Sequence, residues 1–147
     1  MLDQVYNDRI LELAAHIPRL GRLDHPDASA TLRSRLCGST VTVDVKMTDG
    51  KVSDFAHDVK ACALGQASSS IMARHVIGAN LAELQAVRDT VRRMLKEDGA
   101  PPPAGDAWED LRVLEPVRDY KARHASTLLT FDAVVEAVEK AEAARRA

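Results

Sequence analysis

Two cysteines are the only thiols in the chain, Cys37 in RLCGST and Cys62 in VKACALGQASSSIMARH, and both sit where one kind of local pattern gives way to another. Cys37 is followed by Gly38, which lets the backbone pass close to whatever the sulfur holds. Cys62 stands where a strand-like run becomes helix-like, and the unpaired amides and dipole of a helix start favour thiolate, the form that binds metal or attacks sulfur. Three readings are open: two inert buried thiols, a disulfide, or half of a metal site. No C-x-x-C spacing supports the metal reading independently. The opening MLDQVYNDRI has acids where a secretory leader needs bases, and no apolar run approaches a membrane span. A soluble, cytoplasmic protein with reduced thiols is therefore expected, which disfavours the disulfide.

The elements that must position these thiols follow from periodicity. Leu2, Val5, Tyr6, Ile10, Leu13, Ala14 and Ile17 repeat at helical spacing, predicting a helix over 2–17 that ends at Pro18. RLGRLDHPDAS reads as a loop. In TVTVDVKM, Val41, Val43, Val45 and Met47 alternate with Thr40, Thr42, Asp44 and Lys46, the mark of a strand with one wet face. Asp49-Gly50 predicts a tight hairpin into KVSDFAHDVKA, with Phe55, His57 and Val59 on one face. ATLRSRL (30–36) is the expected third strand. Helices are expected over 62–77 and 80–97, with a core stripe of Leu84, Val87, Val91 and Leu95. A flexible Pro/Gly-rich insertion (99–106) follows, then a short helix interrupted at Pro116, and a long helix from about Ala125 to Ala144. The expected fold class is α+β: a single domain, 1–147, with a three-stranded antiparallel sheet covered by helices on one face. A net charge of −2 and the lack of a basic, aromatic-interleaved stripe argue against nucleic acid and against a membrane surface.

These segments together resemble the U-type iron–sulfur cluster assembly scaffolds, the family of NifU amino-terminal domains, IscU and SufU. VYNDRIL with PRLG, RLCGSTVTVDVKMTDGKVSDF and above all ACALGQASSSIMA carry the resemblance. RMLKEDG, the insertion and DLRVLEPVRDYKARHASTLLTFDAV are similar to the SufU branch. The resemblance implies three cysteines and an aspartate that hold a transient [2Fe–2S] cluster or iron, with zinc as the alternative in the SufU branch. Cys37 and Cys62 match the first two cysteines. Ser39 stands where the aspartate is expected, and Ser126, or Ala125 by a different anchoring, where the third cysteine is expected.

Two of four ligands are thus missing, and a serine hydroxyl is a poor substitute for thiolate. His124 is the candidate third ligand, since imidazole suits iron and zinc; the alternative is a solvated histidine at a helix start. Pairing Cys37 and Cys62 across a homodimer would supply four thiolates. Cysteine desulfurase and apo iron–sulfur client proteins are the implied partners, and sulfur acceptance is stoichiometric, so no enzyme is expected. The losses also leave a reading in which a degenerate paralogue holds no metal and binds protein partners only.

The remaining polar residues read as structure. His57 is expected at the core edge, His75 at a helix end, and Asp54 and Asp58 in solvent. Ser68, Ser69 and Ser70 weaken a helix and are expected to permit close helix–sheet packing. Arg118, Lys121 and Arg123 form a modest basic patch, either solvated or facing an acidic partner.

Overall fold

A computed structural model describes residues 7–35 and 38–146; Met1–Tyr6, Leu36, Cys37 and Ala147 lie outside the described residues. Helix α1 (Asp8–Ala15) begins at Asn7, whose Oδ1 accepts the Ile10 N–H at 2.9 Å, and it buries Ile10 and Leu13. The part of the expected helix that carries Leu2, Val5 and Tyr6 lies outside the described residues. Strands β1 (Ala28–Arg33), β2 (Thr40–Thr48) and β3 (Lys51–Lys60) form an antiparallel sheet in the order β1-β2-β3. Asp49 and Gly50 both have positive φ, 54° and 78°, as the tight β2–β3 turn requires.

The first strand is shorter and earlier than expected. It pairs from Ala28↔Val45 to Arg33↔Thr40, and the turn closes with the Ser34 N–H on Ser39 O and the Gly38 N–H on Ser34 O, both at 2.8 Å. Gly38, at φ 73°, has the conformation that makes this closure cheap. In β3, a bulge opposite Lys46/Met47 inserts Ser53 and turns Val52 inward, so Val52, Phe55 and His57 all reach the core.

Alternation in β2 predicts that Asp44 is wet, and that expectation fails. Asp44 is fully buried because the segment after Pro18 folds back over the second face of the sheet. Its carboxylate accepts two hydrogen bonds from Arg22, at 2.7 and 3.0 Å, one from the Leu23 N–H at 3.0 Å and one from the Ser29 hydroxyl. Burial alone pushes the Asp44 pKa up, but these donors outweigh it and hold the group below its ordinary value. The same segment pairs with the free edge of β3: the His57 N–H reaches Arg19 O and the Gly21 N–H reaches His57 O. His57 is fully buried, not at the core edge. Its Nε2–H donates to Pro18 O at 2.8 Å, its Nδ1 has no partner, and burial lowers its pKa.

Helix α2 (Ala63–His75) starts at Cys62, and α3 (Leu81–Lys96) starts at Asn80, which caps the Glu83 N–H at 2.8 Å. Ser68, Ser69 and Ser70 are wholly buried, but α2 packs mainly on helices and not on the sheet as expected; Ser70 faces the end of α1, its hydroxyl donating to His16 O at 3.4 Å. His75 ends α2 with a hydrogen bond between its Nε2 and Asp110 Oδ2 at 3.0 Å. The short helix expected around Pro116 is instead a 3-10 run over Glu109–Asp119. Its residues Leu111, Leu114 and Val117, with Trp108 at the N-cap, recur every third position, the period of a 3-10 helix, and all four are buried. The insertion is tied down: Arg112 donates to Pro102 O at 3.0 Å and the Gly105 N–H to Glu109 at 3.0 Å. A last helix, α4 (His124–Arg146), lies across β1 and β2 and packs on α2 and α3. One hydrophobic cluster runs from Ile10 to Ala141. Among the described residues, no helix is long and apolar enough to cross a membrane.

The two depressed pKa values predict the acid limb of stability. For both groups the unfolded chain binds protons more tightly than the fold does, so stability falls as pH falls. The His57 contribution is complete above the ordinary value of 6.5 and is lost as pH drops toward the lower folded value. The Asp44 contribution is complete above 3.8 and is lost below it. Urea titrations across pH are expected to show both steps. Asp44→Asn should cost about 2 kcal/mol at neutral pH and flatten the lower step alone, and His57→Gln should flatten the upper one.

Candidate functional site

The site is built at the end of the sheet where β2 begins and β3 ends. The register pairs Thr40 with Lys60, so the β1–β2 turn, closed by Ser34 and Ser39, lies beside the passage from β3 into α2. Cys62 is the N-cap residue of α2, in extended conformation at φ −68° and ψ 173°, and its side chain makes no capping bond. The thiol turns to α4 instead, and donates to the Ser126 hydroxyl at 3.5 Å. Ser126 is 2% exposed, and its own hydroxyl donates to Arg123 O at 3.2 Å. Of the two candidate positions Ser126 and Ala125, the structure brings Ser126 to the cysteine.

Gly65 makes that approach feasible. A Cβ at this position would stand 2.7 Å from the Ala61 Cβ and 3.2 Å from the Ser126 carbonyl oxygen. The missing side chain therefore lets the first turn of α2 rest against the backbone of α4. A glycine inside a helical pattern signals such close contact, and that signal was present in ACALGQ.

His124 is not directed at Cys62. It is 6% exposed, and its Nε2 lies 3.0 Å from Val117 O and 3.1 Å from Arg118 O. Carbonyls only accept, so Nε2 carries the proton and is engaged. His124 and Ser126 are two positions apart on α4, about 200° around the helix, so their side chains diverge. Ser39 is 3% exposed and belongs to the β1–β2 turn. Cys37 lies outside the described residues. Among the described residues, no group of three His, Cys, Asp or Glu side chains is arranged to hold a metal ion.

The basic patch is partly neutralised. Arg118 reaches Glu115 at 3.0 Å, Asp98 at 3.5 Å and Gly99 O at 3.1 Å. It shares a cleft of about 410 Å³ with Lys96, Lys121 and His124. Chemically, the described part of the site offers one soft donor, the Cys62 sulfur, facing a hydroxyl that is already hydrogen-bonded.

Comparison with known proteins gives consistent matches. The family model described as NifU-like N terminal domain matches residues 5–127. The iron-sulfur cluster assembly scaffold protein IscU of Thermotoga maritima is 24% identical over 136 residues, 92% of this chain and 94% of that protein. Its namesake from Streptococcus pyogenes serotype M1 is 29% identical over 82% of this chain and 74% of that protein. The crystal structure of the amino-terminal part of a nitrogen-fixing NifU-like protein from Brucella abortus superposes with a TM-score of 0.93 at 61% identity, covering 97% of each chain. SufU from Fervidobacterium islandicum shares the fold, with a TM-score of 0.83 at 18% identity over 92% of this chain and 98% of that one.

Gly65→Ala tests the packing that joins the two halves of the site. Alanine gains about 1 kcal/mol of helix propensity, but overpacking against Ala61 and Ser126 costs about 1–3 kcal/mol. A net loss of stability is expected in urea denaturation. Alkylation of Cys62 by iodoacetamide, followed by peptide mass mapping, should become faster as the Cys62–Ser126 contact opens.

Proposed function

The chain belongs to the NifU-like N terminal domain family, and on that premise we propose that it is an iron–sulfur cluster assembly scaffold whose cargo is held through Cys37 and Cys62. The observation that carries this reading is the placement of Cys62: an N-cap thiol with no capping bond, beside Ser126, at the sheet end that also bears the β1–β2 turn. Cys37 belongs to that turn by sequence. The two thiols would hold iron or a nascent [2Fe–2S] cluster, or accept sulfane sulfur from a cysteine desulfurase. Apo client proteins would receive the product. Zinc would occupy the same two sulfurs in a sulfur-accepting variant of this role.

The donor set fits labile holding better than permanent residence. Cluster irons and zinc favour four-coordination with thiolate or imidazole donors. Here Ser39 stands where the family resemblance expects an aspartate, Ser126 or Ala125 stands where it expects a third cysteine, and His124 has its Nε2 on backbone carbonyls. Two thiolates hold a metal weakly enough to surrender it, which is what a scaffold must do. One observation favours a second reading, a metal-free module that only binds partners: the Ser126 hydroxyl already has Arg123 O as acceptor and the Cys62 thiol as donor.

Anaerobic reconstitution with iron, sulfide and a cysteine desulfurase separates the two. The scaffold predicts visible sulfur-to-iron charge-transfer absorption that disappears in Cys37→Ala and in Cys62→Ala. Ser126→Cys, which places a thiol against Cys62, should slow the loss of that absorption to a chelator. No absorption and no bound metal, with desulfurase binding retained on a sizing column, would overturn the scaffold reading in favour of the partner module.

A further inference from the structure

The insertion that the cluster chemistry leaves unused forms one wall of a second site. Glu83, Ala86, Val87 and Thr90 lie at i, i+3, i+4 and i+7 on one face of α3 and line a groove of about 390 Å³. At a rise of about 1.5 Å per residue this stripe is about 10 Å long, the span of about three extended residues. Pro101, Pro102 and Pro103 form the opposite wall, and Trp108 and Leu111 the floor. The wall is anchored by Arg112 on Pro102 O at 3.0 Å and by the Asp106 N–H on Pro103 O at 3.1 Å.

One end of this groove is acidic, and a single residue holds both acids. The Trp108 indole N–H donates to Glu83 at 2.8 Å, and its backbone N–H donates to Asp106 at 2.9 Å. Each carboxylate therefore has one oxygen fixed by Trp108. Neither forms an ion pair among the described residues, and no lysine, arginine or histidine lines the groove. Two oriented carboxylates with no ion-pair partner among the described residues, beside an apolar trough, complement a cation on an apolar stem.

We propose that this groove docks an extended segment of a partner protein in which a lysine or arginine adjoins an apolar residue. The base reaches Glu83 and Asp106, and the apolar side chain lies along Ala86 and Val87 against the prolines. The proline wall has no N–H groups to offer a β-ladder, so side chains, not strand addition, carry recognition. The stripe of about 10 Å along α3 beside the acids is what favours a chain segment over a free amine. This site is separate from Cys62 and stands or falls independently of the cluster-assembly reading.

Trp108 is the only tryptophan in the chain, so tryptophan emission comes from the groove, and a fixed pH keeps the neighbouring His75 ring, 5.3 Å away, in one state during a titration. The probes are acetyl-lysyl-leucyl-leucine amide, its glutaminyl counterpart and n-butylammonium. The lysyl peptide is expected to change Trp108 emission saturably and to bind about tenfold more tightly than the glutaminyl one, a difference of about 1.4 kcal/mol. Added salt should narrow that gap, and Glu83→Gln with Asp106→Asn should abolish it. Ala86→Arg, a change at an exposed position that fills the trough and supplies a cation in cis, should remove binding even if the double variant folds poorly. Equal affinity for the two peptides, no saturable change, or butylammonium binding as tightly as the lysyl peptide would each overturn the proposal.

Discussion

The absence of a side chain at Gly65 sets the separation on which the site depends. With any larger residue, the first turn of α2 meets the Ser126 carbonyl at 3.2 Å and its own Ala61 at 2.7 Å. The start of α2 is tied to the sheet, since Lys60 still pairs with Thr40. Helix α4 is tied to the sheet as well, because it lies across β1 and β2. Neither helix is free to retreat without disturbing the sheet beneath it. Close-packed interiors transmit such displacements instead of absorbing them. Ser70 of α2 does for the end of α1 what Gly65 does for α4: a small side chain keeps the helix face thin enough for a neighbour to approach.

A second constraint acts on the opposite face of the sheet. A carboxylate without exposure is costly unless its oxygens are satisfied, and Asp44 draws three residues from two segments to satisfy them. This fixes the path of the chain over β2, and the same path places Arg19 and Gly21 on the edge of β3 and Pro18 O on His57. One buried charge thus orders the loop that covers an edge strand, where unpaired amides would otherwise invite association with another chain. Arg22 remains half-exposed, with 57% of its side chain in solvent, so the pair is not a fully desolvated ion pair and avoids most of that penalty.

Much of this was legible in the sequence because it depends on local period. The alternation of Val41, Val43 and Val45, the Asp49-Gly50 turn and the helix start at Cys62 each follow from a few neighbouring residues. Asp44 was misread because alternation says which residues share a face and nothing about what covers that face. The end of β1 was misplaced because Ser34 and Ser39 close the turn through backbone groups that any residue type could supply. The 3-10 run was legible in principle: Trp108, Leu111, Leu114 and Val117 repeat every three residues, but Pro116 drew the reading toward a broken α-helix. The choice between Ser126 and Ala125, and the aim of His124, turn on how α4 is rotated about its axis. Distant packing sets that rotation, through Gly65 on one side and the Val117 and Arg118 carbonyls on the other.

In the proposed scaffold role, the polar groups around Cys62 would also determine how cargo enters. The Ser126 hydroxyl has an acceptor and a donor, and the His124 N–H has two carbonyls. Recruiting His124 through Nε2 means removing its proton from between two acceptors and turning a ring that is 6% exposed. Recruiting Ser126 means breaking its bond to Arg123 O and ionising an alcohol. The thiol of Cys62 is held only by a long bond from a weak S–H donor, and its residue is partly exposed. Of the described groups it is the easiest to release, and it becomes a better metal ligand as it loses its proton. In the proposed scaffold role, incoming iron or sulfur would therefore meet Cys62 before Ser126 or His124 rearranged, and those two would return to satisfied hydrogen bonds once the cargo left.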